Sequence, residues 1–550
     1  LHPPPMNPSL SLAAPAPAPA AGARARAWAP LGFVLLLAVL AALRPLAVPD
    51  EGRYADISRW MLVSGDWLTP RLDGLPFFHK PPLTHWLQAA SMAVLGVTPW
   101  AARVPGVLLA TLMLAGVSLA GRRLADAALA RRATWMLGAS GGFLIGGQYV
   151  NHDIGVAAWI ASAIWCFVFA LWDGERPHAG WARAGFAACA LGLLTKGLIG
   201  VALPGLVIGA WVLATRQWRK LLHLPWLSGL ALFALIALPW FWRAGERYPG
   251  LWSYLFGVQQ FTRYTGSGFN NEQPWWFYGA ACALLMFPWA FFAAGDGVAR
   301  LRALGTRQPP ADSPHRRLAV LCWIWLAAIV LFFSLPRSKL IGYILPVLPP
   351  LALLAALGWQ RALGQRRWAD RAFVALVLGA ATLPAVLTVM APRIEAGKLS
   401  DDVALALACR AAPGDAVYVI GGYPMDLAFV AQTQTPLRVV RDWPRERTEA
   451  GDNWRRELFE AGDFDPAAAA RILLEPPALA RAVNQPGAWL LAPRAPDAAL
   501  RPLLEGWQPV FAGHAWSLYR SAAPSAKGPE APQHEGLPGC HAHGGKQRQP

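Results

Sequence analysis

Long apolar runs recur along the first 390 positions, near 28–48, 101–120, 133–150, 154–172, 181–195, 198–214, 225–242, 274–294, 316–333, 340–358 and 371–390. A helix rising about 1.5 Å per residue needs about twenty apolar residues to cross the hydrocarbon core. The pattern therefore predicts a mainly α, polytopic membrane protein with about eleven transmembrane helices. The first run has no small-residue cleavage site followed by a soluble domain, so it reads as a retained signal anchor.

The polar positions between the runs fall into two alternating sets. One set is basic with few carboxylates: Arg24 and Arg26; Arg122, Arg123, Arg131 and Arg132; Arg176 and Arg183; Arg216, Arg219 and Lys220; Arg300, Arg302, Arg307, Arg316 and Arg317; Arg361, Arg366, Arg367 and Arg371. Positive charge marks cytoplasmic loops. The other set then faces outward: 48–100, "NHD" at 151–153, 243–273 and "SLPRSKL" at 334–340. These outer loops mix Asp, Glu, Arg, Lys, Trp and Tyr, against the topology bias.

Beyond residue 390 the pattern changes. "GDAVYVIGGYP", "TPLRVVRDW", "AWLLAPRAP" and "AWSLYR" read as short strands ending in turns, with helical patterns between them. The domains predicted are a Pro/Ala-rich disordered tail at 1–27, a transmembrane domain at 28–391, an extracytoplasmic α/β domain at 392–520 and a disordered tail at 521–550. An odd number of spans puts the α/β domain outside.

Composition agrees with a membrane protein: 55% of the 550 residues are hydrophobic and 15% are charged. The net charge of +17 is spread over short loops instead of one soluble face, which argues for a topology signal and against nucleic-acid binding. The 28 Trp suit both interfacial belts and sugar-stacking surfaces. None of the six Cys forms a CxxC pair, so small buried hydrophobes are expected, with no disulfide framework and no zinc site. The three His and one Cys of the C-terminal tail read as a solvated segment.

The candidate chemistry lies at the outer mouths of the spans, where carboxylates are costly unless they pair or work. Asp50 and Glu51 follow the first run, and Asp153 opens the fourth. Arg53, Lys80, Arg263, Arg337 and Lys339 lie on the same face, with Tyr343 just inside the tenth run. A phosphate-bearing lipid donor calls for such a mixture: cations hold the phosphate leaving group and a carboxylate takes a proton from the acceptor. Each residue also has a plain structural reading. Asp50 and Glu51 can pair with Arg53, Asp153 can cap a helix, and the lysines can snorkel to headgroups.

The stretch "DEGRYADISRWMLVSGDWLTPRLDGLPFFHKPPLTHWL", residues 50–87, resembles the first external loop of the bacterial aminoarabinose transferases that modify lipid A. These share the C-type membrane glycosyltransferase fold (GT-C) with the protein O-mannosyltransferases. "YVNHDIGVAAW", "LTKGLIGVALPG" and "SLPRSKLIGYILPVLPPLALL" are similar to further segments of that family. The resemblance covers about residues 30–390. It implies inverting transfer of a sugar from a polyprenyl phosphate to an envelope acceptor, at the outer face of a bacterial inner membrane. It implies Asp50 and Asp153 as catalytic acids and Arg53, Lys80, Tyr343 and Arg263 around the donor phosphate. By their own placement on the same face, Glu51 is a further candidate acid and Arg337 and Lys339 are further candidates for the phosphate. No metal site is implied, and dependence on a divalent metal stays open. The sequence departs from the family at Gln259 and Gln260, where the aminoarabinose transferases carry an acidic residue and His. The same sugar and the same acceptor are therefore not implied.

The acceptor stays open between a lipid A-like glycolipid, another envelope glycan and a protein Ser or Thr hydroxyl. The donor, the acceptor and the bilayer are the expected partners, with no nucleic acid. A polyprenyl-lipid flippase is the competing class. It calls for paired repeats and polar groups at the membrane midplane, whereas here the charges gather at one mouth. A non-enzymatic scaffold for the outer domain predicts no acidic mouth at all.

Overall fold

The computed structural model describes residues 21–262, 271–304, 313–412 and 414–522. Most of the 1–27 tail, Arg263, Cys540 and nearly all of the 521–550 tail lie outside the described residues. The first helix, α1, runs Ala21–Ala42 and so begins before the expected start at 28. The chain then places α2 (Asp50–Ser64), a two-stranded hairpin (β1 Arg71–Leu72, β2 Leu75–Pro76) and α3 (Leu83–Leu95) on one side of the helical bundle. The bundle continues with α4 (Pro99–Leu124), α5 (Ala127–Gly138), α6 (Asp153–Leu171), α7 (Ala179–Lys196), α8 (Ile199–Ala214) and α9 (Trp226–Arg247). It ends with α10 (Phe277–Leu285), α11 (Trp289–Leu304), α12 (Pro314–Ser334), α13 (Leu348–Leu363) and α14 (Ala369–Glu395).

Among the described residues, six helical segments are long and apolar enough to cross a membrane: α4, α6, α9, α12, Ile341–Leu363 and α14. Two of the expected runs are broken. Residues 133–150 stop helically at Gly138 and resume as the single turn Gly141–Leu144, where Ser140 accepts the Phe143 N–H. Residues 274–294 divide between α10 and α11 at Pro288, which has no N–H to continue a helix. The apolar windows of α6 and Ile341–Leu363 are 78% and 83% buried, so other helices surround them. Those of α9 and α14 are 28% buried and face outward. Glycines set the close approaches: a Cβ at Gly147 would meet Ala110 of α4 at 2.9 Å and Leu37 of α1 at 3.0 Å.

The C-terminal unit is an α/β domain. It opens with α15 (Asp401–Ala408) and contains β3 (Val417–Val419), α16 (Leu427–Ala431), β4 (Arg438–Val440), α17 (Trp443–Glu449), α18 (Trp454–Gly462), α19 (Pro466–Ile472) and β5 (Leu473–Leu474). It closes with α20 (Pro476–Ala482), β6 (Trp489–Pro493), β7 (Trp507–Ala512) and β8 (Trp516–Ser521). The sheet order is β5-β4-β3-β6-β8-β7; the first four strands are parallel and the last two antiparallel. Sequence reasoning found β3, β4, β6 and β8. It missed β5, two residues long, and β7, where Pro509 interrupts the pattern.

Cys166, Cys189, Cys282 and Cys322 are free, and the last three are buried. Cys409 corrects the expectation of no disulfide: it is disulfide-bonded. It sits half-buried just past α15, outside the apolar bundle that shields the other four.

The segment between α1 and α3 is built into the core of the C-terminal domain. Ile57, Leu72, Leu75 and Phe77 share one buried cluster with Val417, Leu427, Val439 and Leu458. The buried carboxylate of Asp73 accepts the Leu437 N–H at 2.8 Å, and Arg59 donates to the Thr433 carbonyl at 2.6 Å. At Gly52 a Cβ would lie 2.8 Å from the Met425 carbonyl oxygen, and backbone cannot step aside cheaply. Gly52→Val is expected to loosen this docking. Limited proteolysis should cut near residue 392 faster in the variant, and unchanged cleavage would show that the contact is dispensable.

Candidate active site at the mouth of an apolar cavity

Helix α2 starts with two adjacent acids, and about 100° of helical rotation separates their side chains. Both lie in the first turn, where the helix dipole favours negative charge. Glu51 points inward and is fully buried. It pairs with Arg44 and, at 2.8 Å, with Arg103 of α4. It also accepts the N–H groups of Ala47 and Val150, each at 2.8 Å. Arg103 donates onward to the carbonyls of Ala41, Arg44 and Pro45. Burial alone would raise the Glu51 pKa, but the guanidiniums of Arg103 and Arg44 outweigh it and hold the carboxyl at about 2. Glu51 was expected among the catalytic acids. It does not reach the cavity, because two arginines and two backbone amides consume its oxygens.

Asp50 points the other way, onto a cavity of about 740 Å³. Its side chain is 46% exposed and lines the cavity. Burial raises its pKa above the usual carboxylate value. Arg53 opposes the rise, while Asp153, Glu457 and Glu51 add to it. Asp153 lines the same cavity. It is the first residue of α6, and the N-cap position is taken by His152. Its carboxylate pairs with Lys196 and accepts from Asn151 Nδ2 at 3.1 Å. The Lys196 ammonium in turn sits 4.2 Å from the centre of the Tyr343 ring. Below the two acids the cavity is lined by apolar groups that include Leu284, Phe287, Leu345, Leu376 and Leu383.

The expected cations are only partly at the mouth. Arg53 is nearly buried; one amino group contacts Asp50 at 2.5 Å and the other pairs with Glu457 of α18. Lys80 lies half-buried before α3; burial depresses the charging of His79 and His152, and the Lys80 ammonium adds to both. Lys339 does not offer its ammonium to the cavity. It is buried and donates to the carbonyls of Gln273 at 2.9 Å, Pro336 at 2.7 Å and Arg337 at 3.4 Å, which holds the turn before Tyr343. Arg337 is exposed, and its carbonyl accepts the Gln273 N–H. Arg263 lies outside the described residues. Gln259 donates to the Tyr254 hydroxyl at 3.0 Å, and Gln260 accepts the Leu198 N–H at 2.6 Å. Among the described residues no group of three or more His, Cys, Asp or Glu is placed to hold a metal ion.

Four further residues belong to this neighbourhood. Tyr149 lines the cavity with the two acids. Lys196 pairs with Asp153, and its position at the end of an outward-facing span was the available signal. Glu457 and Glu460 come from α18. Glu457 is 404 positions from Arg53, and no local pattern announces such a contact. Glu460 accepts from Tyr254 at 2.7 Å and from Arg456 at 2.6 Å, with His79 Nε2 at 3.5 Å.

The chain is similar in sequence and in fold to known proteins. The dolichyl-phosphate-mannose-protein mannosyltransferase family matches residues 34–255. An undecaprenyl phosphate-alpha-4-amino-4-deoxy-L-arabinose arabinosyl transferase of Pseudomonas paraeruginosa is 36% identical over 328 residues, 59% of this chain and 57% of its own. One from Edwardsiella ictaluri is 31% identical over 368 residues, 66% and 64% of the two chains. The crystal structure of ArnT from Cupriavidus metallidurans bound to undecaprenyl phosphate matches with a TM-score of 0.74 and 25% identity, covering 92% of this chain and 100% of that one. In sequence and fold the chain is similar to the membrane glycosyltransferases of the ArnT and protein-mannosyltransferase type. The same structure without ligand matches with a TM-score of 0.72. The chain spans 57% to 64% of the length of these two curated relatives.

Two outcomes follow from the geometry of this site. Glu51→Gln leaves two buried guanidiniums without their charge partner, and a loss of about 3–5 kcal/mol is expected in urea unfolding. Because the folded pKa of Glu51 is depressed from 4.5 to about 2, the wild type keeps this stabilisation above 4.5 and loses it as pH falls towards 2. The variant should lack that part of the pH dependence, and an unchanged acid profile would refute the role. At Gly342 an added Cβ would strike the Asp153 carboxylate, which Lys196 and Asn151 hold in place. Gly342→Ala should therefore cut turnover about a hundredfold with little change in stability.

Proposed function

We propose that the chain is an inverting glycosyltransferase of the bacterial inner membrane. It takes a sugar from a polyprenyl phosphate and transfers it to an envelope glycolipid or glycan on the extracytoplasmic face. The observation that carries this reading is the pair Asp50 and Asp153 at the polar mouth of a long apolar cavity. A volume of about 740 Å³ suits a lipid-sized ligand. The polyprenyl tail lies against Leu284, Phe287, Leu376 and Leu383, and the phosphate meets the mouth. The relatives' donor, undecaprenyl phosphate with an amino sugar, has this division into greasy tail and charged head.

The chain crosses the membrane about eleven times in this reading. The crossings are the six long apolar segments, α1, α7, α8 and the two broken units at α5 and α10–α11. With the basic loops inside, the acidic mouth and the C-terminal domain face outward.

In the reaction the acceptor oxygen bonds to the sugar's anomeric carbon as the carbon–oxygen bond to phosphate breaks. The bond's electron pair leaves with the polyprenyl phosphate. For a hydroxyl acceptor the proton passes to Asp50, whose raised pKa makes it a stronger base than a solvated carboxylate. For an acceptor that is already ionised, Asp50 orients it and faces the positive charge growing on the sugar. Lys80, Lys196 and Tyr343 are assigned to the phosphate in this reading, while Lys339 holds the turn that carries Tyr343. Gln259 and Gln260 leave the sugar and acceptor open, and a protein Ser or Thr hydroxyl stays an outcome of the test.

The test uses the purified full chain with undecaprenyl phosphate-linked aminoarabinose or mannose and a membrane lipid extract. Release of undecaprenyl phosphate and gain of sugar mass on an acceptor are expected, reduced about 10²–10⁴-fold in Asp50→Asn. The acidic limb of the rate profile should lie above the ordinary Asp value of 3.8. No turnover with either sugar, together with movement of undecaprenyl phosphate between leaflets, would replace the transferase by a lipid transporter.

A further inference from the structure

The C-terminal domain reaches the mouth acid Asp50 through Glu457 and Arg53. Helix α18 begins at Trp454, and its Glu457 meets Arg53 between the domain and the bundle. Arg53 and Glu457 are 11% and 15% exposed, so water screens the pair poorly. The guanidinium is divided: Nη1 faces both Glu457 oxygens, Nη2 contacts Asp50 Oδ1 at 2.5 Å, and its carbon lies 4.7 Å from the centre of the Tyr54 ring. We infer that Glu457 is a positioning residue, which draws Arg53 away from full pairing with Asp50 and so fixes the carboxylate's direction and basicity towards the cavity. The inference rests on the transferase reading of the site, and it assigns Arg53 to the acid instead of to the donor phosphate.

The physics is a competition of two carboxylates for one cation. A planar guanidinium offers its amino groups in a fixed fork, so a carboxylate on one edge sets where the other edge points. Helix α18 is held independently. Its Leu458 is buried in the core shared with the outer loop, and Glu460, one turn on, accepts from Tyr254 and Arg456. Glu457 is therefore a rigid anchor for Arg53. Without its charge, Arg53 turns wholly to Asp50. The charged groups facing Asp50 are Arg53 and Glu51 on its own helix, Asp153 of α6 and Glu457 of α18, with the Tyr54 and Tyr149 hydroxyls beside it. Removing Glu457 takes away one negative neighbour and strengthens one positive one. Both changes lower the proton affinity of Asp50.

The experiment compares full-length wild type, Glu457→Gln and Glu457→Asp in the transfer assay across pH, with undecaprenyl-phosphate binding and thermal unfolding measured on each. Glu457→Gln is expected to lower kcat about ten- to a hundredfold, leave the donor KM near wild type and move the acidic limb to lower pH. Glu457→Asp keeps the charge at shorter reach, so it should return the limb to its wild-type position with intermediate kcat. A wild-type kcat and limb in Glu457→Gln would overturn the inference. So would a fall in kcat that tracks a lower Tm or weaker donor binding with the limb unmoved. If Glu457→Gln does not fold, Glu457→Asp decides alone: reduced kcat at unchanged KM supports the inference, and wild-type kcat overturns it. Absence of turnover in the wild type is a separate result, which removes the transferase reading itself.

Discussion

The burial of Glu51 between Arg44 and Arg103 sets the phase of α2, and the active-site mouth follows from that phase. A helix turns about 100° per residue, so fixing one side chain inward fixes the direction of its neighbours. Asp50, Arg53, Tyr54 and Ile57 fall on a different face. The first meets the cavity, the second meets Glu457, and Ile57 enters the core of the C-terminal domain. A buried charge is tolerated only when its partners are complete. Glu51 satisfies this with two guanidiniums and two amides contributed by α2's approach, α4 and the segment before α6. One ion cluster thus ties three parts of the chain to a common geometry.

The two acids of the first turn divide the work through environment. Glu51 is stripped of water and overcompensated by positive charge, so it stays ionised and immobile. At Asp50 burial raises the proton affinity, the neighbouring acids add to the rise, and Arg53, shared with Glu457, opposes it. Adjacent carboxylates with opposed pKa directions are a familiar way for one fold to separate a structural anion from a base. Asp153 adds a third setting, paired with a lysine that lies over an aromatic ring. Asp50 and Asp153 gather where the apolar cavity meets a polar mouth, and the proposed lipid-linked donor has the same division into charged head and apolar tail.

Much of this was legible along the chain. Hydropathy located the spans, because the bilayer demands length and apolarity from each crossing segment independently. The motif from Asp50 to Leu87 located the outer loop, and Pro81 and Pro82 marked the start of α3 at Leu83. Two spans were read as continuous and are broken, since a run of apolar residues does not reveal where Ser140 or Pro288 ends a helix. Lys339 and Glu51 carried the right charge at the right face. Only their surroundings revealed that backbone carbonyls occupy one and arginines the other.

The sequence by itself determined the class of protein, the side on which its charges gather and the residue types at the mouth. These depend on composition and periodicity within short windows, and the membrane acts on each window separately. The tertiary structure decided which carboxylate faces the cavity, which cations remain for a ligand and how the C-terminal domain takes part. Those outcomes rest on contacts between distant segments, such as Arg53 with Glu457 and Asp73 with Leu437. Such contacts form only when burial makes each group's partner count, and no local pattern encodes them.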